Sequence, residues 1–258
     1  MPAREGLFDR SPSGLRALLE GMGEPGYRGD QIAQAVFGQS ATDFDTIRGL
    51  PKALRDRLAA RFSIDPPGVL ARVDADDGAT AKVLLDLGSG AAVEAVRMSY
   101  DPEDDSMAGR TRTTICVSTQ VGCAMGCVFC ATGQMGYTRH LTPGEIVAQV
   151  VEAARRSGER RLSHVVFMGM GEPLANYDRT WEAVHRLHDD IGIGARHLTL
   201  STVGLVPGIR RLAVADLPVN LAVSLHAADD ELRDELVPIN RRYPLPVLVE
   251  ACRDYVDR

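Results

Sequence analysis

Apolar positions in the first sixty residues recur at three- and four-residue intervals, the spacing of one helix face. "SPSGLRALLEGMG" has Ser11 at the N-cap position, Pro12 at the first helical position and glycines at its end. "DQIAQAVF" and "PKALRDRLAARF" continue the periodicity, the second opened by Pro51. "IDPPGV", residues 64–69, breaks it and reads as a linker. "AKVLLDL" and "AAVEAVRM" then read as two strands joined by "GSG", a hairpin. "DPEDDSMAG" is acidic and turn-rich.

From Thr113 the pattern becomes short apolar strands alternating with helical stretches. "TTICVSTQV", "HVVFMG", "HLTLSTV" and "NLAVSLH" read as strands. "TPGEIVAQVVEAARRSG", "WEAVHRLHDD", "VPGIRRLAVA" and "DDELRDELV" read as the helices after them, and "PLPVLVEACRDYVDR" as one more. Thr142 with Glu145 three residues on forms a capping box. Such alternation implies βαβ units and a parallel sheet. Loops at the carboxyl ends of the strands then build the active site. The expected organisation is a helical unit over 1–65, a linker and β hairpin over 66–112, and an α/β partial barrel over 113–258.

Composition adds modest constraints. The chain has 258 residues, 45% hydrophobic and 25% charged, with net charge −6. No apolar run approaches the ~18 residues of a membrane span, and the first residues lack the apolar core of a signal peptide. The expected location is cytoplasmic, where clustered cysteines point to metal binding or catalysis rather than disulfides. The negative charge argues against indiscriminate nucleic-acid binding without excluding local basic patches. Lys52 and Lys82 are the only lysines; every other basic side chain of this group is arginine. Lys52, Arg55, Arg57 and Arg61 would form a basic stripe, either a solvated helix face or a contact for RNA phosphates.

The densest chemistry is "GCAMGCVFCATGQMG", residues 122–136, where Cys123, Cys127 and Cys130 are spaced C-x3-C-x2-C. A structural zinc site wants four ligands, commonly in two separated pairs, and no second pair follows. His140 is a possible fourth ligand, but lies beyond Gly136. Three thiolates fit a [4Fe–4S] cluster with one iron left open. An open iron can receive a cofactor, and one-electron chemistry on S-adenosylmethionine uses that arrangement. Cys116, inside a strand, is either a buried small hydrophobe or a reactive thiol. Alternation places it on one face with Ser118 and Gln120. Cys252 reads as structural.

The cysteine spacing and its position resemble the radical S-adenosylmethionine superfamily. "CVSTQVGCAMGCVFCATGQMGYTRHLTPGEIVAQV", "VVFMGMGEPLANYD", "LSTVGLVPGIRRLA" and "NLAVSLHAADDELRDELVPIN" resemble, more narrowly, the RlmN-type RNA methyltransferases. That resemblance implies methylation of adenosine C2 in large-subunit (23S) rRNA and of the adenosine beside the anticodon in some tRNAs. It implies a partial (β/α) radical-SAM barrel, one [4Fe–4S] cluster held by Cys123, Cys127 and Cys130, and S-adenosylmethionine. The cofactor residues would be Gly171 and Glu172 in "GMGEP", Ser201, and Ser224, Leu225 and His226. Cys116 would be the catalytic thiol that frees the product from a covalent enzyme–RNA intermediate. Glu94 would handle a proton near the adenine. An electron donor such as a flavodoxin or ferredoxin, and a monomeric state, are also implied.

In the family a second, methyl-carrying cysteine and a cofactor-binding asparagine lie beyond Arg258, and the barrel has six βα units where four are read here. Either a fragment of a longer gene product or a truncated homologue is expected, and the sheet edge that four units would expose favours the fragment. The related adenine-C8 methyltransferases tend to carry another cysteine where this chain has Val121. The alternative from another class is a non-catalytic metal- or RNA-binding module.

Overall fold

The structure, a computed structural model, describes residues 5–38, 41–100, 112–155 and 162–257. The acidic "DPEDDSMAG" stretch and the end of the helix opened by Thr142 lie outside the described residues.

The N-terminal unit begins with β1 (Glu5–Gly6), followed by α1 (Pro12–Gly21), α2 (Tyr27–Ala33), which runs on into a π-helical turn over Gln34–Gly38, and α3 (Lys52–Arg61). Ser11 caps α1, its Oγ accepting from the Gly14 N–H at 3.2 Å. Such a cap contributes about 1 kcal/mol. β2 (Phe62–Ser63) pairs in parallel with β1, so the two ends of the unit meet. Leu15, Leu19, Ile32, Leu54 and Leu58 form its buried interior.

One seven-stranded sheet carries the rest. β3 (Gly68–Ala75), β4 (Thr80–Asp86) and β5 (Ala92–Tyr100) form an antiparallel meander. β5 pairs antiparallel with β6 (Arg112–Cys116). The excursion β7 (Gln120–Gly122), α4 (Ala131–Gln134), β8 (Tyr137–His140) follows, then α5 (Pro143–Arg155) and β9 (His164–Phe167). α6 (Tyr177–Asp189), β10 (Leu198–Thr202), α7 (Val206–Ala213), β11 (Asn220–Val223), α8 (Asp230–Leu236) and α9 (Leu245–Val256) complete the described chain. β6, β9, β10 and β11 are parallel neighbours in that order. This is the α/β barrel half expected from the sequence. The capping box is present: the Glu145 N–H donates to Thr142 Oγ1 at 3.1 Å and the Thr142 N–H to Glu145 at 2.9 Å.

Three features differ from the sequence expectation. The hairpin is not a separate connection but continues the barrel sheet through β5 and β6. β3, unread in the sequence, is almost wholly exposed and so shows no apolar alternation. The "TTICVSTQV" strand also breaks after Cys116. Gln149 on α5 is fully buried and takes both backbone groups of Ser118, accepting from its N–H at 2.8 Å and donating to its carbonyl at 3.0 Å. A side chain thus replaces the sheet partner there. Among the described residues, no helix is long and apolar enough to cross a membrane.

Candidate active site

The three clustered cysteines sit on the excursion between β7 and β8. Gly122 has φ +76°, and the Cys123 N–H donates to the Gly136 carbonyl at 2.9 Å. A Cβ on Gly122 would run into that same carbonyl oxygen. Gly122→Ala is therefore expected to cost about 2–4 kcal/mol, a melting-temperature loss of roughly 5–15 °C. Gly136 shares the φ of +76° but has open space around it. Gly136→Ala should cost only about 1 kcal/mol. Thermal unfolding of both variants checks the difference.

The loop turns back on itself through the Cys130 N–H to the Cys127 carbonyl, 3.1 Å, and is tied to the end of α8 by the Val128 N–H to the Leu236 carbonyl, 3.1 Å. Cys123 and Cys127 are buried and Cys130 is partly exposed. Burial first, and then the neighbouring Cys123 and Cys130, push the Cys127 thiol up to about 11. The three thiols line one cavity of about 250 Å³.

The same cavity collects the ends of three parallel strands. After β9 the chain passes through Gly169 and Gly171. Gly171 has φ +101°, and a Cβ there would lie 2.6 Å from that of Gln120. Glu172 follows, only 2% exposed. Its carboxylate accepts from the Leu174 N–H at 3.1 Å and the Val203 N–H at 2.9 Å. Its own N–H donates to Gln120 Oε1 at 2.8 Å. Burial raises the carboxyl to about 7, outweighing those two donors and Thr202. Ser201 from β10 and Ser224 after β11 line the cavity, their hydroxyl oxygens 3.4 Å apart. His226 lines it from a left-handed backbone, φ +63°, with its ring 4.3 Å from that of Phe129. A non-glycine residue in that conformation is strained, as functional loops often are.

Eight of the eleven site residues expected from the sequence therefore line one cavity: Cys123, Cys127, Cys130, Gly171, Glu172, Ser201, Ser224 and His226. Leu225, Glu94 and Cys116 do not. Leu225 is 46% exposed. Register puts Cys116 opposite Val96 and Val166, and Ser201 opposite Ala222. Paired residues share a face, so Glu94, Cys116, Ser201 and Ser224 all belong to one face of the sheet. The alternation expected from Cys116 to Gln120 does not continue, because β6 ends at Cys116. Burial pushes the Cys116 thiol up to about 11, partly offset by a backbone hydrogen bond from Met168. Glu94 pairs with Lys82 at 3.0 Å. Lys82, Gln120 and Thr202 were not singled out as functional in the sequence.

The basic stripe of α3 is largely compensated within the unit. Lys52 pairs with Asp56 at 2.9 Å, Arg55 donates to the Asp45 carbonyl at 2.6 Å, and Arg57 pairs with Glu24 at 3.1 Å. This pairing favours the solvated-face reading.

The residues present fit an iron–sulfur cluster with a cofactor beside it. Three thiols face a common space, two glycines bring backbone to its wall, and a buried carboxylate stands in it without a cationic side-chain partner among its hydrogen bonds. Among the described residues, no three His, Cys, Asp or Glu side chains are grouped to hold a single metal ion. A cluster of several irons spreads its thiolates further apart than one tetrahedral zinc does.

Comparison with known proteins agrees with this geometry. The model of the radical SAM superfamily matches residues 117–258, and that of the ribosomal RNA large subunit methyltransferase N-terminal domain matches residues 6–64. The chain is 47% identical over 256 residues to "Dual-specificity RNA methyltransferase RlmN 1" of Myxococcus xanthus, covering 98% of this chain and 69% of that one. It is 48% identical over 263 residues to "Probable dual-specificity RNA methyltransferase RlmN" of Moorella thermoacetica, covering 100% and 73%. The crystal structure of a radical SAM methyltransferase from Sphaerobacter thermophilus superposes with a TM-score of 0.90 at 49% identity, covering 98% of this chain and 73% of that one. The chain belongs to the radical SAM superfamily and, within it, to the RlmN-type RNA methyltransferases.

Proposed function

We propose that this chain is an RNA methyltransferase that uses a [4Fe–4S] cluster and S-adenosylmethionine to methylate C2 of adenosine in large-subunit rRNA and tRNA. The carrying observation is the convergence of Cys123, Cys127 and Cys130 with Gly171, Glu172, Ser201 and Ser224 on one cavity. When bound, the cluster supplies the single electron that makes S-adenosylmethionine a radical source. This chain's residues bind and orient both groups. The three cysteines would hold the cluster. Glu172, which accepts from the Leu174 and Val203 N–H groups, would also accept from the cofactor's ammonium. Gly171 lets the backbone approach, and the Ser201 and Ser224 hydroxyls offer hydrogen bonds.

Cys116 and Glu94 act from the neighbouring part of the same sheet face. With its thiol near 11, Cys116 carries its proton at neutral pH, so its attack requires a base. Glu94, held by Lys82, is assigned the proton at the adenine. The unit over 1–65 is read as an RNA-binding accessory, with a small electron-transfer protein as donor, the chain as a monomer and the cytoplasm as its location. The N-terminal match and the presence of Val121 favour C2 over C8 specificity.

The function is tested in the source organism. Changing the Cys123 codon to alanine should remove 2-methyladenosine from both rRNA and tRNA, read by mass spectrometry of digested RNA. Undiminished 2-methyladenosine would overturn the assignment.

A further inference from the structure

Arg233 heads the largest side chains that are fully buried, with 0% exposure. Burying a cation is costly unless every donor is met, and here the partners are unusual. Nε donates to the Leu225 carbonyl at 3.0 Å, Nη2 to the Val203 carbonyl at 2.6 Å, and Nη1 to Asn240 Oδ1 at 2.5 Å. None of these is a carboxylate. Two are main-chain atoms from different loops, one after β10 and one after β11.

The end of β10 and those loops bring Ser201, Thr202, Val203, Ser224 and His226 to the cavity. Val203 is held at both ends: its carbonyl by Arg233 and its N–H by the Glu172 carboxylate at 2.9 Å. A buried cation and a buried acid thus grip one residue between them. Gly204, φ +112°, turns the chain over the guanidinium; a Cβ there would lie 3.2 Å from Nη2.

The other side of the clamp is equally fixed. Arg233, Val237 and Asn240 stand at i, i+4 and i+7, all fully buried. The Asn240 amide donates to Asp230 Oδ1 at 2.9 Å and Asp234 Oδ1 at 2.6 Å, which orients its oxygen toward the guanidinium. Asp230 Oδ1 also accepts from the Leu245 N–H at 2.7 Å, tying in the start of α9.

We propose that Arg233 is a positioning residue: it clamps the loops after β10 and β11 to α8 at the separation needed to surround S-adenosylmethionine. It touches no cofactor itself, and the proposal rests on the cofactor reading above. Only a planar guanidinium spans three acceptors in this geometry; a lysine ammonium is a point donor on a flexible stem.

The test compares wild type, Arg233→Lys and Asn240→Ala in the full chain. Hydrogen exchange of the cluster-free protein reads the loops directly. Calorimetry with S-adenosylmethionine after anaerobic reconstitution reads the site. For Arg233→Lys we expect exchange about tenfold faster in peptides covering 202–205 and 224–227, with β6 and α5 unchanged. Iron content should hold, while cofactor affinity falls roughly tenfold or more for the lost charge-assisted bonds. Asn240→Ala keeps the arginine but frees one arm, and should loosen the same loops less. It also serves if Arg233→Lys does not fold. Loop exchange and affinity within twofold of wild type would overturn the clamp, as would faster exchange spread evenly over the barrel. A wild-type protein that binds iron but no S-adenosylmethionine would sink the cofactor reading instead, and the exchange data would still decide the clamp.

Discussion

Cys127→Ala leaves the anaerobically reconstituted protein without its cluster, while Cys252→Ala retains about four irons per chain. Cys127 is the middle thiol of the three and is buried on a loop pinned to α8 through Val128. Its thiol is pushed up to about 11, so free Cys127 holds its proton at neutral pH. Cluster assembly must displace that proton, and iron bonding offsets the cost. Removing one thiol leaves two, and no other side chain lines the cavity with a soft sulfur ligand except the thioethers of Met125 and Met168. Cys252 lies on α9, away from the cavity lining. Iron and sulfide analysis decides: full iron in Cys127→Ala would refute the ligand set.

The second large effect is the pH dependence carried by Glu172. Its folded-state pKa of about 7 lies above the ordinary 4.5 because the carboxyl is buried. The unfolded chain releases this proton near the ordinary value and the folded chain only near 7. Between those limits the folded state binds more protons, so stability falls as pH rises. The full drop is about 3 kcal/mol at 1.36 kcal/mol per unit. Below the lower limit the penalty is absent; above the upper limit it is constant. Cofactor binding runs the other way. In the proposed contact the cofactor's ammonium would need the ionised carboxylate, so affinity should rise about tenfold per pH unit up to roughly pH 7 and then level. Glu172→Gln should flatten both curves. It should also weaken binding ten- to a hundredfold, the effect of losing about 1.5–3 kcal/mol from a charge-assisted hydrogen bond. Glutamine keeps the shape and one acceptor for the Leu174 and Val203 N–H groups, whereas alanine would leave both without a partner. Calorimetry from pH 6 to 8 checks the prediction; a flat wild-type profile would remove Glu172 from the cofactor contact.

Much of this molecule was legible before its structure. The caps at Ser11 and Thr142 are local events between neighbouring residues, and local chemistry is what a sequence displays. Three of the four parallel strands, β6, β9 and β10, are short apolar runs with buried positions such as Ile115, Val165, Phe167 and Leu200, while β11 is only partly buried. The cysteine spacing and the "GMGEP" loop were legible because each is a compact word.

What escaped has a physical reason in each case. β3 is an edge strand held by pairing with β4 rather than by burial, so it shows no period. The break after Cys116 depends on Gln149, thirty-one residues from Ser118. Arg233 was hidden most thoroughly. In "DDELRDELV" an amphipathic reading puts Leu232 inside and Arg233 outside, yet Leu232 is 45% exposed and Arg233 fully buried. Loop carbonyls, which leave no mark on side-chain patterns, invert that helix face.

The most direct test of the central claim uses the reconstituted, dithionite-reduced chain with S-adenosylmethionine. The product is 5′-deoxyadenosine, quantified by chromatography, with Cys127→Ala as the control. This account predicts cofactor cleavage by the wild-type chain and none by the variant; a protein carrying about four irons that forms no 5′-deoxyadenosine would contradict it.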